Sequence, residues 1–321
     1  MKALFPLLAA VALASASWLA AAREQQQEEQ QEPTQQQEQE PFKLPRIVGQ
    51  AKTQEEMDAW NAVLGALSPQ EKIQLGKNFL ELYPESGLTS YVHKEMALSY
   101  FQTNDNENFI NHAEEALQEL PTDPAILPTL ARAYAERGDN NKAIEKAQKG
   151  MEVFQTLEKP MGAPLGQWRF QIDRAKADLN YAEGLALLRK ALEMVGDSTA
   201  LLKRSVDRFQ VAADLDPSFD AAYFRLGFAY AKLNDADKAI ENYARTAALD
   251  SLASGMAREQ LQRIYTLLQK DTLGIEQVIE EQREYVQKKI AENEAQIEEL
   301  DNQEQIEQER PMLPQPPQPP R

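Results

Sequence analysis

From Thr53 to about Gln296 the apolar residues recur three and four positions apart, and the alternation of a half-buried strand is absent. Glycine and proline fall between the periodic stretches. This pattern predicts helices throughout the middle of the chain and no sheet. The two ends read differently. Residues 23 to 41 are almost only Glu and Gln, with Pro33 and Pro41, so they have no apolar face to bury. From Asn302 the apolar spacing fades, and Arg310 to Arg321 is rich in proline, which favours an extended polyproline-like form. A disordered linker over 23–52 and a Pro-rich tail over 302–321 are the expectation.

The first 22 residues read as an address. Lys2 precedes an almost wholly apolar run from Ala3 to Ala14, followed by small-residue sites at Ala14-Ser15-Ala16 and Ala20-Ala21-Ala22. That is the pattern of a secretory leader. An uncleaved anchor is the alternative, because Ala3 to Ala22 is 20 residues without a charge and about 20 helical residues cross a bilayer. Pro6 and the small residues favour cleavage. Both readings place the remainder outside the cytoplasm, and a membrane enters only if the segment stays attached.

Repeats stand out once the tails are set aside. Over 220–253 the chain shows Tyr223-x-x-Leu226-Gly227-x-x-Tyr230 and then Ala239-x-x-x-Tyr243, preceded by Asp216-Pro217. Two further units are in register with each other. Residues 90–123 hold Met96-Ala97-x-x-Tyr100, the turn Asn104-Asp105-Asn106, and then Phe109 and Ala113. Residues 124–157 hold Leu130-Ala131-x-x-Tyr134, Gly138-Asp139 and Ala143, with Tyr134 34 positions after Tyr100. This resembles the tetratricopeptide repeat, a helix–turn–helix unit with a period of about 34 residues. The departures are Ser251 where the unit's closing proline belongs, Thr246 in place of a small alanine, and Phe109 and Ala113 exchanged in size. Such an exchange conserves volume across the contact.

The array then breaks step, since Tyr134 and Tyr230 are 96 residues apart. One elongated unit over 158–219 accounts for the gap, with Gly184 as its glycine and helices over about Trp168 to Val195 and Thr199 to Leu215. In front, Thr53-x-x-Glu56 and Ser68-x-x-Glu71 are capping boxes opening a degenerate unit over 53–89. Behind, charged capping helices fill 254–301, one ending near Leu268 and one spanning Ile275 to about Gln296. The resemblance implies an all-α superhelical solenoid of antiparallel helix pairs. The leader, polar linker and charged final helix look like the organisation of exported bacterial tetratricopeptide proteins, of the periplasm or cell envelope.

Charge and composition narrow the chemistry. With 34 Lys and Arg against 51 Asp and Glu the formal charge is −17, which disfavours nucleic acid as a partner. The absence of cysteine removes disulfides, thiolate metal sites, thiol nucleophiles and lipid-modified cysteine anchors. The two histidines, His93 and His112, fall in one repeat at positions set by helix periodicity, without His-x-x-x-His or Glu-x-x-His spacing. Gly76-Lys77 lacks the upstream glycine of a phosphate loop. No catalytic residue, metal ligand or cofactor is assigned.

What the resemblance implies instead is a concave face lined by the first helix of each unit, where the family binds extended peptides or partner helices. Its groove-facing offsets fall on Tyr91, Lys94, Leu98 and Phe101, on Arg132 and Glu136, and on Phe224, Phe228 and Lys232. Phe224 and Phe228, at i and i+4, form an aromatic strip, and Lys94, Arg132 and Lys232 suggest a local reversal of sign. The function expected is a non-enzymatic scaffold for protein or peptide partners. A structural homo-oligomer is the alternative, pairing through Ile279, Val286, Ile290 and Ile297 on the C-terminal helix. An envelope enzyme acting on sugar or peptidoglycan is a third.

Overall fold

A computed structural model describes residues 47–268 and 270–309. The leader, residues 23–46 of the linker and the Pro-rich end from 310 lie outside the described residues. Among the described residues there are twelve helices and no strand. They are α1 (Gln54–Gly65), α2 (Pro69–Leu82), α3 (Thr89–Gln102), α4 (Asn106–Glu119), α5 (Ile126–Arg137), α6 (Asn140–Thr156), α7 (Leu165–Glu193), α8 (Thr199–Leu215), α9 (Asp220–Lys232), α10 (Ala236–Ala248), α11 (Ser254–Leu267) and α12 (Gly274–Glu309). No described helix is long and apolar enough to cross a membrane.

Three hairpins turn in the same way. Asn104, Gly138 and Asn234 each take a left-handed backbone conformation, with φ of 58°, 97° and 60°. The next amide, of Asp105, Asp139 or Asp235, donates to the carbonyl of Tyr100, Tyr134 or Tyr230 at 2.9 Å in all three cases. This is the Schellman closure, which satisfies the carbonyls a helix end leaves free. Asp105 and Asp235 then cap the second helix, accepting from the amides of Asn108 and Lys238 at 3.2 Å. One dipeptide thus ends a helix and starts its partner. At the front, the Thr53 and Ser68 hydroxyls accept from Glu56 and Glu71 amides, each at 3.2 Å.

Small residues set how closely the helices approach. A Cβ on Gly227 would lie 2.9 Å from the buried ring of Tyr243, and one on Gly184 would lie 2.9 Å from that of Phe209. Gly150 meets Leu179 and Gly76 meets Met96 in the same manner. One continuous apolar core runs from Val63 in α1 to Ala229 in α9. A second joins α10, α11 and the start of α12, and Phe228 and Tyr230 touch both. The small-against-bulky pairing therefore recurs in regular and elongated units alike.

Two elements depart from the sequence reading. The elongated helix starts at Leu165 and ends at Glu193, rather than running from Trp168 to Val195. The final helix continues to Glu309, through 302–309, where the sequence suggested the start of a polar tail. Glu and Gln are good helix formers, and α12 folds back along α10 to reach the start of α7. There the amides of Leu165 and Gly166 donate to Glu304 Oε2 at 2.7 Å and Asp301 Oδ1 at 2.6 Å. Lys159 pairs with Glu304 at 2.8 Å. Two carboxylates from the C-terminal helix thus satisfy the free N–H groups, and oppose the positive dipole end, of a helix more than a hundred residues earlier. Ile279 and Val286 are buried against the chain's own helices, and Ile290 packs on the main core.

Replacing Gly227 by alanine should lower unfolding free energy by about 1–3 kcal/mol, because the added methyl displaces Tyr243 from a filled core. Gly255→Ala on α11, where a Cβ meets nothing within 4 Å, should be neutral or stabilising, and urea titration of the two variants checks the contrast. A second expectation concerns the end of α12. The double variant Asp301→Asn/Glu304→Gln should speed amide hydrogen exchange over residues 297–306 and leave α3 to α6 unchanged.

Candidate protein-binding face

The nine residues assigned to the groove lie on α3, α5 and α9, and each has a distinct setting. On α3, Tyr91 is half-buried, edge-on to Trp60 at 6.5 Å between centroids, with the backbone of Gly49 against its ring. Leu98 packs on the core from a half-buried position. Phe101 is 43% exposed and tilts against Phe109. Lys94 is held at 2.6 Å by Asp123, whose other oxygen accepts from the amides of Ala125 and Ile126 at the entrance to α5. That lysine therefore fastens one unit to the next.

Arg132 is similarly engaged. Its guanidinium pairs with Glu136 at 2.9 Å on its own helix and with Asp178 of α7 at 3.1 Å, and it lies over the rings of Tyr181 and Phe219. Burial raises the Asp178 pKa, while Arg132 draws it back down. The elongated helix thus supplies the counter-charge for a cation that the sequence placed on an open face. The reversal of sign expected from three cations is accordingly offset at two of them.

The α9 strip is different. Phe224 and Phe228 are half-buried, Phe224 edge-on to Tyr243 at 5.4 Å. Lys232 is exposed, with its ammonium 5.3 Å from the Phe228 ring centroid. Among the described residues no carboxylate stands within ion-pair distance of Lys232. Phe224, Phe228 and Lys232 therefore form one continuous stripe at i, i+4 and i+8. No hydrogen bond, ion pair or ring contact joins the α3, α5 and α9 sets to one another among the described residues.

Two features were not read from the sequence. A cleft of about 600 Å³ opens between the start of α8 and the α9–α10 turn, where Lys203, Lys232 and Lys238 surround Tyr230 beside Asp207 and Asp235. Lys203 belongs to the elongated unit, whose departure from the period hides its position relative to Lys232. The other is a meeting of the two histidines. Across the α3–α4 hairpin His93 Nδ1 and His112 Nδ1 are 2.8 Å apart, one donating to the other, with Tyr100 stacked on His112. Among the described residues no group of three or more His, Asp or Glu is arranged to hold a metal ion.

The pair resists protonation. Burial, then His93 and Lys77, press the His112 pKa down to about 4. Burial also lowers that of His93, with Glu115 and Glu119 pulling the other way. An unfolded histidine titrates near about 6.5, so as pH falls below that value the unfolded chain takes up protons the folded pair refuses. Stability from this source is whole above pH ~6.5 and declines as pH falls toward the His112 value of about 4, the lowered His93 adding in the same direction. Relative to His93→Gln/His112→Gln, the parent chain should lose stability between pH 7 and pH 5 in parallel urea titrations.

No protein-family model and no curated protein sequence matches the chain. Among solved structures, MamA is similar at 19% identity and a TM-score of 0.41, covering 71% of this chain and 100% of its own. The thermophilic TPR protein TTC0263 of Thermus thermophilus is similar at 17% identity and 0.42, covering 66% and 98%. A MamA fragment of Desulfovibrio magneticus gives 16% and 0.40, covering 67% and 96%. What makes this chain a solenoid of tetratricopeptide-like hairpins is its own repeated unit, with the same closure after Tyr100, Tyr134 and Tyr230 and the same nesting of bulky side chains on small residues.

Proposed function

We propose that the chain is an exported, non-catalytic scaffold of the cell envelope that takes a peptide or helix of a protein partner onto the inner face of its solenoid. The observation that carries this reading is the α9 stripe. Phe224 and Phe228 present aromatic surface that the core covers only in part, and among the described residues no carboxylate pairs with Lys232 at its end. Aromatic anchors in a partly desolvated setting are where binding energy concentrates. Because Lys94 and Arg132 are already paired, recognition on this face is apolar first, with charge contributed by Lys232.

The packing of Ile279 and Val286 inside the chain speaks for this scaffold over a homo-oligomer joined through the C-terminal helix. The leader-like 1–22 segment supports export, with membrane attachment only if it remains uncleaved.

In-cell crosslinking followed by mass spectrometry tests the proposal. Neighbours recovered with the parent chain should be lost with Phe224→Ala/Phe228→Ala, and Lys232→Glu should weaken capture roughly tenfold through charge alone. Circular dichroism should stay helical in both. Unchanged recovery from two folded variants would remove the inner face as the binding surface, and the N-terminal peptide from the same spectra reports whether the leader is cut.

A further inference from the structure

The cleft of about 600 Å³ between the start of α8 and the α9–α10 turn takes up where the α9 stripe ends, because Lys232 belongs to both. Its lining carries three lysines and two aspartates. Lys238 is engaged, paired with Asp235 at 3.6 Å and held over the Tyr230 ring at 5.1 Å. Lys203 and Lys232 are exposed and enter no ion pair among the described residues, although the charge of Lys203 is felt at Asp197. Asp207 is the remaining carboxylate of the lining. The cleft therefore keeps one uncompensated positive charge, on a chain whose net charge is −17. The stripe leading to it has a spacing of its own. Residues four apart on a helix rise about 6 Å, and the same-side residues of an extended peptide, every second one, recur about 6.6 to 6.8 Å apart. Phe224, Phe228 and Lys232 thus meet successive same-side residues of an extended chain nearly in step.

Given the scaffold role above, on which this rests, we propose that the partner segment is an extended peptide of defined spacing. Two apolar residues two positions apart cover Phe224 and Phe228, and an Asp or Glu two positions further along α9 enters the cleft between Lys232 and Lys203. One carboxylate balances the lining and gains charge-assisted hydrogen bonds from the two ammonium groups. A lysine or arginine in that place would add to a lining that is already positive. Five extended residues cover the stripe, whereas a partner helix needs nine, and a helix that short is marginal in water and pays to be ordered. The chain's own 23–41 segment carries glutamates but, prolines apart, no apolar anchor for the stripe.

Fluorescein-labelled Ser-Leu-Ser-Leu-Ser-Glu-Ser and its reverse are titrated with the full chain and read by anisotropy, each beside a twin with Gln in place of Glu. One of the two orders should bind the parent about three- to tenfold more tightly than its twin. Lys203→Gln/Lys232→Gln should abolish that preference while the Gln twin binds as before. Phe224→Ala/Phe228→Ala should weaken both twins alike, and circular dichroism should stay helical in both variants. Moving the Glu one position toward the leucines turns it to the other side of the strand and should also cost the preference. No preference on the parent, a preference that survives the lysine variant, or tighter binding of the helical repeat Leu-x-x-x-Leu-x-x-x-Glu overturns the proposal. If the peptides in those cases still lose binding with the phenylalanine variant, the α9 face remains a binding surface without this motif. Failure of that face shows separately, as in-cell recovery that the phenylalanine variant leaves unchanged. Inorganic phosphate that removes the preference at an ionic strength where chloride does not would make the cleft a site for a free anion and overturn the proposal too.

Discussion

The structure depends on the distance to which two helices can approach. Neither helix of a short hairpin is stable alone in water, so each must bury its apolar stripe on a neighbour at close range. Here that range is set by hollows: Gly227 beneath Tyr243, Gly184 beneath Phe209, Gly150 beneath Leu179 and Gly76 beneath Met96. A methyl group at any of these positions would lie under 3.0 Å from the facing side chain. Gly166 plays the same part between backbones, since a Cβ there would come within 2.1 Å of the Ile297 carbonyl oxygen. The tightest of these contacts is therefore also the one with the longest sequence separation, and it brings α12 back onto the array.

This constraint accounts for what the sequence made legible. A hollow and its knob must recur at fixed offsets for hairpins to stack, so Tyr100, Tyr134 and Tyr230 could be recognised as equivalent positions and the left-handed residues Asn104 and Gly138 as turns. Gly184 was identifiable as the hollow of the elongated unit even though its neighbours had drifted from the period. Contacts outside the repeat left no such mark. The hold of α12 on α7 rests on carboxylate oxygens accepting backbone amides, and a run of Glu and Gln looks the same whether it caps a helix or faces water. His93 and His112 met across a hairpin, whereas motif spacing is read along one helix.

On the face assigned from the repeat's offsets the cations were legible and their counter-ions were not. Offsets within a repeat select residues of one helix, but the counter-ions come from elsewhere: Asp123 from the loop before α5 and Asp178 from the extended α7. Counting cations on one face omits the carboxylates that neighbouring units bring to it. Lys232 lies on α9 at the end of the strip, out of ion-pair range of α7's Asp178, and it is the cation of the three that keeps its charge unpaired among the described residues.

The same reasoning extends to the rest of the array. Cations are drawn into the joints between helices: Lys72 to Glu95 at 2.7 Å, Lys146 to Glu114 at 2.9 Å, Arg208 to Glu183 at 2.9 Å and Lys159 to Glu304 at 2.8 Å. Each such pair takes one charge of either sign out of play, so with 34 cationic residues against 51 acidic ones the unpaired remainder still carries the whole net charge of −17. A surface of that kind repels its own copies and favours basic partners at long range. Specificity then has to come from places where the negative field is interrupted or concentrated. The Phe228–Lys232 end of α9 is such an interruption.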